Sequence, residues 1–151
     1  MSAQPAHALA ESERFAILNL ESVALLVPLQ EIYSLESARD IDSTRSAGGS
    51  VGAIRSADSW FSVFFLSDNL KPQTSLPDTF KVCAILAVGA VTLSLACRSV
   101  ATLENTILDL QPLPECMRTA GSPIHALAHD GERLLCRTSM LALAAHIEHA
   151  A

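Results

Sequence analysis

The sequence predicts an all-β barrel or sandwich with one C-terminal helix. Short runs of apolar and β-branched residues recur at near-even spacing from Phe15 to Arg137, with turn-forming residues between them. A helical repeat of apolar positions is clear only at the end, over Ser139 to His149. Half of the residues are hydrophobic but few are aromatic, so the predicted core is built from Ala, Val, Leu and Ile.

Taken in order, residues 1–14 are Ala-rich and polar and read as a flexible leader; residues 15–150 read as a single domain. Phe15 to Leu20 and Val23 to Val27, separated by Glu21-Ser22, form a hairpin pattern. Pro28 ends the second strand or sits at its edge, because proline has no N–H for a ladder. Gln30 to Leu35 fits a further strand or a single helical turn. Glu36 to Ser50, with Gly48-Gly49, is a loop. Val51 to Ile54 and Trp60 to Leu66 are the next strands, and Ser67 to Thr79, with two prolines, is a surface connection.

Phe80 to Val88 and Val91 to Cys97 form a second hairpin around Gly89-Ala90. The block Ser94 to Val100 reads as a strand followed by a helix-like or irregular connection, then an extended exit, Ile107 to Pro114. Glu115 to Pro123 is a loop. Ile124 to His129 and Arg133 to Arg137 flank Asp130-Gly131, a strong two-residue hairpin signal. In the final helix Met140, Leu143, Ala144 and Ile147 share a face, and Thr138 or Ser139 is placed to cap it.

Several function classes are disfavoured. The net charge is −6 and no basic stripe is present, which argues against a nucleic-acid partner. No secretory signal is visible, and the uncharged stretch Val82 to Cys97 is shorter than the roughly 20 residues of a membrane-spanning helix. The four cysteines have no C-x-x-C spacing, and three lie in apolar segments, the pattern of buried free thiols in a cytoplasmic protein. His125 and His129 would share a helix face, but on the predicted strand they stand about 13 Å apart and cannot hold one ion. His146 and His149 read as frayed terminal histidines. Ser46 to Ser50 is a flexible linker without the Gly-Lys-Ser/Thr of a phosphate loop, and no Gly-x-Ser-x-Gly elbow occurs. No catalytic residue, metal site or cofactor is predicted. The aromatic pairs Trp60-Phe61 and Phe64-Phe65 alternate across a strand, so one face is core and any exposed remainder marks a protein contact.

The order and spacing of four blocks resemble the CheW-like domain, the adaptor module of bacterial chemotaxis. Phe15, Leu20, Val27-Pro28 and Ile32 fit the first block, and Gly52, Val63 and Leu66 the second. Leu95, Cys97, Val100, Leu103, Ile107 and Pro112-Leu113-Pro114 fit the third; Asp130-Gly131, Leu134, Leu135 and Leu141 fit the last. Polar signature positions depart. Ala57 stands for the family arginine and Asp58 for the glycine after it; Ser62 and Phe65 stand for a proline and an aspartate. Ser94 replaces a glycine, and Arg98 and Arg137 replace aspartates.

The resemblance implies two small SH3-like five-stranded β-barrels packed side by side. It implies a non-enzymatic adaptor that binds the regulatory domain of a CheA-type histidine kinase and a methyl-accepting chemoreceptor. The contact positions it implies are Gly52, Ile54, Arg55, Ala57 and Asp58, with Arg98 and Arg137 as the charge-altered sites. Two expectations follow from the departures. If residues 55 and 57 share a strand face, roughly 6 to 7 Å apart, Arg55 takes the place of the missing arginine; otherwise it is an ordinary solvated surface residue. Asp58 either pairs with Arg98 or Arg137, or the three are independent surface substitutions. The competing class is a small β-barrel that binds an apolar ligand.

Overall fold

The computed structural model describes residues 14–103, 109–117, 122–130 and 133–150. Residues 1–13 of the expected leader, Ile107 and Gly131 lie outside them. The first hairpin sets the architecture. Strands β1 (Phe15–Asn19) and β2 (Ala24–Pro28) pair antiparallel, with Ile17 opposite Leu26 and Leu18 opposite Leu25. Side chains alternate across a sheet, so Ala16, Leu18, Leu25 and Val27 face one way and Phe15, Ile17, Ala24 and Leu26 the other. Both sets are buried, and each belongs to a different core. Pro28 does end β2, and the next free amide, that of Leu29, bonds Arg14 O at 2.9 Å.

One sheet is built on this hairpin. Strand β9 (Ser99–Leu103) adds antiparallel to β1. On the other side β12 (Arg133–Arg137) runs parallel to β2, and β11 (Ala126–Asp130) and β10 (Gln111–Pro112) continue outward. The second sheet runs β3 (Ile32–Ser37), β7 (Val82–Val88), β8 (Val91–Cys97), β5 (Ser59–Leu66) and β4 (Gly52–Ser56), with β6 (Pro72–Gln73) hung from β5. The expected hairpins at residues 15–28, 80–97 and 124–137 are all present, and the two strands expected over 51–66 pair as a further hairpin. Each sheet coils into a small barrel wall, but neither closes by a backbone ladder among the described residues.

Two local features differ from the sequence reading. Residues 29–37 hold both of the alternatives, a 3-10 turn at Leu29–Glu31 and then β3. The block Ser94 to Val100 is not one strand. It breaks at Arg98, whose amide donates to Asn19 O at 2.8 Å, and the chain crosses there from the second sheet to the first as β9. Apolar alternation runs through this corner without Gly or Pro, so the pattern carries no mark of the switch.

Helix α1 (Met140–Ala150) begins where expected. Ser139 is the cap: its Oγ accepts from Ala142 N at 3.2 Å. A second orphan donor, Met140 N, is satisfied by Glu31 Oε1 at 2.8 Å. Thr138 instead donates its hydroxyl to Pro123 O at 2.6 Å. Met140, Leu143 and Ile147 enter the larger core, each contributing about 1.5 to 3 kcal/mol of burial. His146 is not frayed: its Nε2 lies 2.6 Å from Leu70 O and ties the helix to the 67–70 loop. No helix among the described residues is long and apolar enough to cross a membrane.

The cysteines are all free. Burial, with Glu36 and Asp40 nearby, pushes the Cys83 thiol up to about 12; burial also raises Cys97 and Cys136. Cys116 is exposed. Because the thiolate is the nucleophile, an alkylating reagent at neutral pH is expected to modify Cys116 first and to reach Cys83 and Cys97 only on unfolding. Peptide mapping after a timed pulse of iodoacetamide, with and without denaturant, checks this.

Ser94 is fully buried, and its Oγ finds no hydrogen-bond partner among the described residues. Ser94→Ala removes that desolvated hydroxyl and is expected to stabilise the fold by about 1 kcal/mol in chemical denaturation.

Candidate functional site

The β4–β5 hairpin presents the candidate surface. It starts at Gly52, where the strand passes against residues 41 and 42. A Cβ there would sit 2.6 Å from Asp42 O, and the backbone is at φ 153°. Only glycine permits this approach. The approach is locked by two backbone bonds, Asp42 N to Ala53 O at 2.8 Å and Ala53 N to Asp42 O at 3.1 Å. Ile54, in the next inward position, is fully buried. Gly52 and Ile54 therefore hold the hairpin in place from behind.

The tip is a two-residue turn of Ala57 and Asp58, at φ 48° and 67°. Both are left-handed, as a two-residue hairpin that follows strand twist requires, yet neither is glycine or asparagine. This overturns the expectation that residues 55 and 57 share a strand face. Residue 57 is in the turn, and Arg55 instead pairs across it with Asp58, Nη2 to Oδ1 at 3.1 Å. With the two side chains 60% and 93% exposed, that pair contributes about 0 to 1 kcal/mol. The expected partner of Asp58, Arg98 or Arg137, is not the one it takes. Arg137 lies over the Phe15 ring, 5.3 Å from its centroid, and donates to Thr138 O. Arg98 is exposed at the β8–β9 corner. The seven sequence-derived positions thus fall into three places, and only Arg55, Ala57 and Asp58 lie together on the exposed tip.

Around the tip stands a set of aromatic and apolar side chains. Trp60, directly opposite Arg55, is 43% exposed, and the Arg45 guanidinium lies 3.8 Å from its ring centroid. Arg45 is held by Asp42 at 3.5 Å. Asp42 accepts from Thr44 Oγ1 at 2.6 Å and Thr44 N at 3.0 Å; these bonds, with Arg45, hold its carboxyl below the ordinary aspartate value. That contribution is present above the unfolded-state value and is lost as pH falls through the lower folded one.

Strand β3 completes the rim. It and β4 are the two edges of their sheet, and side chains bridge them. Ser34 Oγ lies 3.3 Å from Ser56 Oγ, and Ser56 donates to Glu36 Oε2 at 2.9 Å. Tyr33 stands at the register shift between Ile32 and Ser34, and its ring tilts against Phe61 at 6.0 Å between centroids. Tyr33 is 53% and Leu35 50% exposed. The exposed part of the aromatic strand is thus Trp60, with Phe61 half-buried beneath Tyr33. Sequence reasoning missed Tyr33, Leu35 and Arg45; the alternation of Ile32-Tyr-Ser-Leu-Glu-Ser37 was the available signal. The arrangement offers apolar and cationic contact but no convergent acid–base or nucleophilic set. Among the described residues no group of His, Cys, Asp and Glu is placed to hold a metal.

No family model matches the chain, and no curated protein matches it in sequence. In three dimensions it is similar to the scaffolding protein TtCheW from Thermoanaerobacter tengcongensis, with a TM-score of 0.64. The match covers 84% of this chain and 88% of that one at 11% identity. The fold is therefore CheW-like, with two β-subdomains packed across the first hairpin.

Ala57 holds its left-handed conformation at a cost of roughly 1 to 2 kcal/mol, partly offset by the greater freedom glycine has when unfolded. Ala57→Gly is expected to stabilise the fold by about 1 kcal/mol, read as a higher denaturation midpoint at unchanged slope.

Proposed function

We propose that this chain is a non-enzymatic cytoplasmic adaptor that couples a chemoreceptor, or an equivalent sensor of a pilus-linked system, to a CheA-type histidine kinase. Residues 15–150 act as one CheW-like domain, and the chain itself needs no cofactor. The observation that carries the reading is the exposed rim of Tyr33, Leu35 and Trp60 around the Arg55–Asp58 tip, on a fold similar to a scaffolding protein. Exposed Trp, Tyr and Arg side chains gathered on a preformed surface are the make-up of an interaction hot spot. The charges on the rim are locally balanced, Arg45 by Asp42 and Arg55 by Asp58, so affinity comes from apolar anchoring and the ion pairs select the partner.

In this reading Arg55, Ala57 and Asp58 meet the partner directly, while Gly52 and Ile54 shape the hairpin. Arg137 serves the fold and Arg98 lies on a separate surface. Phe15, Ile17, Leu26 and Leu135 pack together in the smaller core, which supports an adaptor over a carrier of an apolar ligand.

Titration of the purified chain against the isolated regulatory domain of a CheA-type kinase from the same cell is expected to give saturable binding. Trp60→Ala and Tyr33→Ala each weaken it about tenfold or more with the fold intact. Absence of binding to both the kinase domain and the receptor tip would overturn the reading.

A further inference from the structure

A chain of contacts runs from the backbone of β4 to the exposed ring of Trp60. Its root is fixed. Asp42 N donates to Ala53 O at 2.8 Å and Ala53 N to Asp42 O at 3.1 Å, so residue 42 is pinned to the sheet. The Asp42 side chain then caps the 3-10 turn Ser43–Arg45. Both of its bonds with Thr44, from N at 3.0 Å and from Oγ1 at 2.6 Å, fall on Oδ1. Oδ2 is left for Arg45, whose Nε lies 3.5 Å away. The Arg45 guanidinium in turn lies 3.8 Å from the Trp60 ring centroid. The Arg45 side chain makes no other hydrogen bond or ion pair with a described residue. Among the described residues, no second cation and no aromatic ring contacts the ring of Trp60.

We propose that Asp42 and Arg45 are positioning residues of the docking surface: Asp42 orients the Arg45 guanidinium, and the guanidinium holds the Trp60 ring in the orientation that a partner meets. The inference rests on the adaptor reading, which supplies the partner. A cation over an aromatic face is attracted to it, most strongly on tryptophan. Arginine suits the task, because its planar group stacks on a ring while an in-plane N–H reaches a carboxylate. A ring ordered before association loses less side-chain freedom when the complex forms. One face of the ring is covered by Arg45, so the partner meets the rest of Trp60 and the outer Nη groups of Arg45. Together these suit an apolar side chain that stands beside a hydrogen-bond acceptor.

Trp60 is the only tryptophan of the chain, so its fluorescence reads the ring without background. Acrylamide quenching and time-resolved anisotropy of the free chain are the first arm of the test. Arg45→Ala is expected to raise the quenching constant and to speed the local motion of the ring. Asp42→Asn keeps an oxygen to cap the turn but removes the charge, and it shifts both readings in the same direction. The double variant matches Arg45→Ala, because Asp42 acts through Arg45. Arg45→Lys keeps the cation and recovers part of the loss. The second arm is titration against the regulatory domain of a CheA-type kinase, where Arg45→Ala weakens binding about two- to fivefold, the scale of an exposed cation–π contact. Unchanged fluorescence in Arg45→Ala, a double variant further from the wild type than Arg45→Ala, or unchanged affinity despite a loosened ring would overturn the proposal. A wild-type chain that binds no partner sinks the adaptor reading, and the first arm still decides whether Asp42 and Arg45 hold the ring. A circular dichroism melt of each variant verifies that the fold is in place.

Discussion

Burial of the β1–β2 hairpin on both faces is the constraint on which the rest of the structure depends. One face, with Leu18, Leu25 and Val27, closes the larger core against the second sheet and the C-terminal helix. The other, with Phe15, Ile17 and Leu26, fills the smaller barrel against Ala128 and Leu135. A one-residue slip in this pairing would exchange the two faces and send side chains shaped for one core into the other. Neighbouring contacts pin the register: Leu20 N bonds Val23 O at 2.8 Å across the turn, and Ser22 N bonds Asp68 Oδ1 at 2.9 Å. The helix is tied into the same arrangement through Glu31 and Leu70.

Much of this was legible in the sequence. A strand buried on both faces reads as an unbroken apolar run, and Phe15-Ala-Ile-Leu and Ala24-Leu-Leu-Val are such runs. The helix was legible from period and cap together, since Ser139 precedes the apolar face that begins at Met140. The corner at Arg98 was not, because a strand that changes sheets without a bulge or glycine keeps its alternation. The tip at Ala57-Asp58 was legible only in part, because Asp58 is a turn former but Ala57 is not, and the chain tolerates the strain there.

The candidate site was legible in position but not in composition. The sequence pointed to residues 52–58, and the structure places the exposed hairpin tip there. It could not show that Ile54 turns inward, that Asp58 meets Arg55, or that β3 is drawn alongside by Ser34, Glu36 and Ser56. The bridges from β3 to Ser56 join residues about twenty positions apart, and local pattern says nothing about pairs at that range. The polar positions singled out in the sequence also take distinct places in the fold. Ala57-Asp58 forms the turn, and Arg55 stands beside it paired with Asp58. Arg98 places a guanidinium at the junction of the sheets, and Arg137 covers the Phe15 ring.

The shared wall makes a direct thermodynamic demand: neither sheet can open alone without exposing one face of β1–β2. Native-state hydrogen exchange, followed amide by amide at increasing denaturant, measures this. The account predicts that the ladder amides of β1–β2, β12 and β7–β8 converge on one global opening free energy. Separate opening of β11 and β12, with β1–β2 and β7–β8 still protected, would contradict it and show that the smaller barrel does not depend on the hairpin wall.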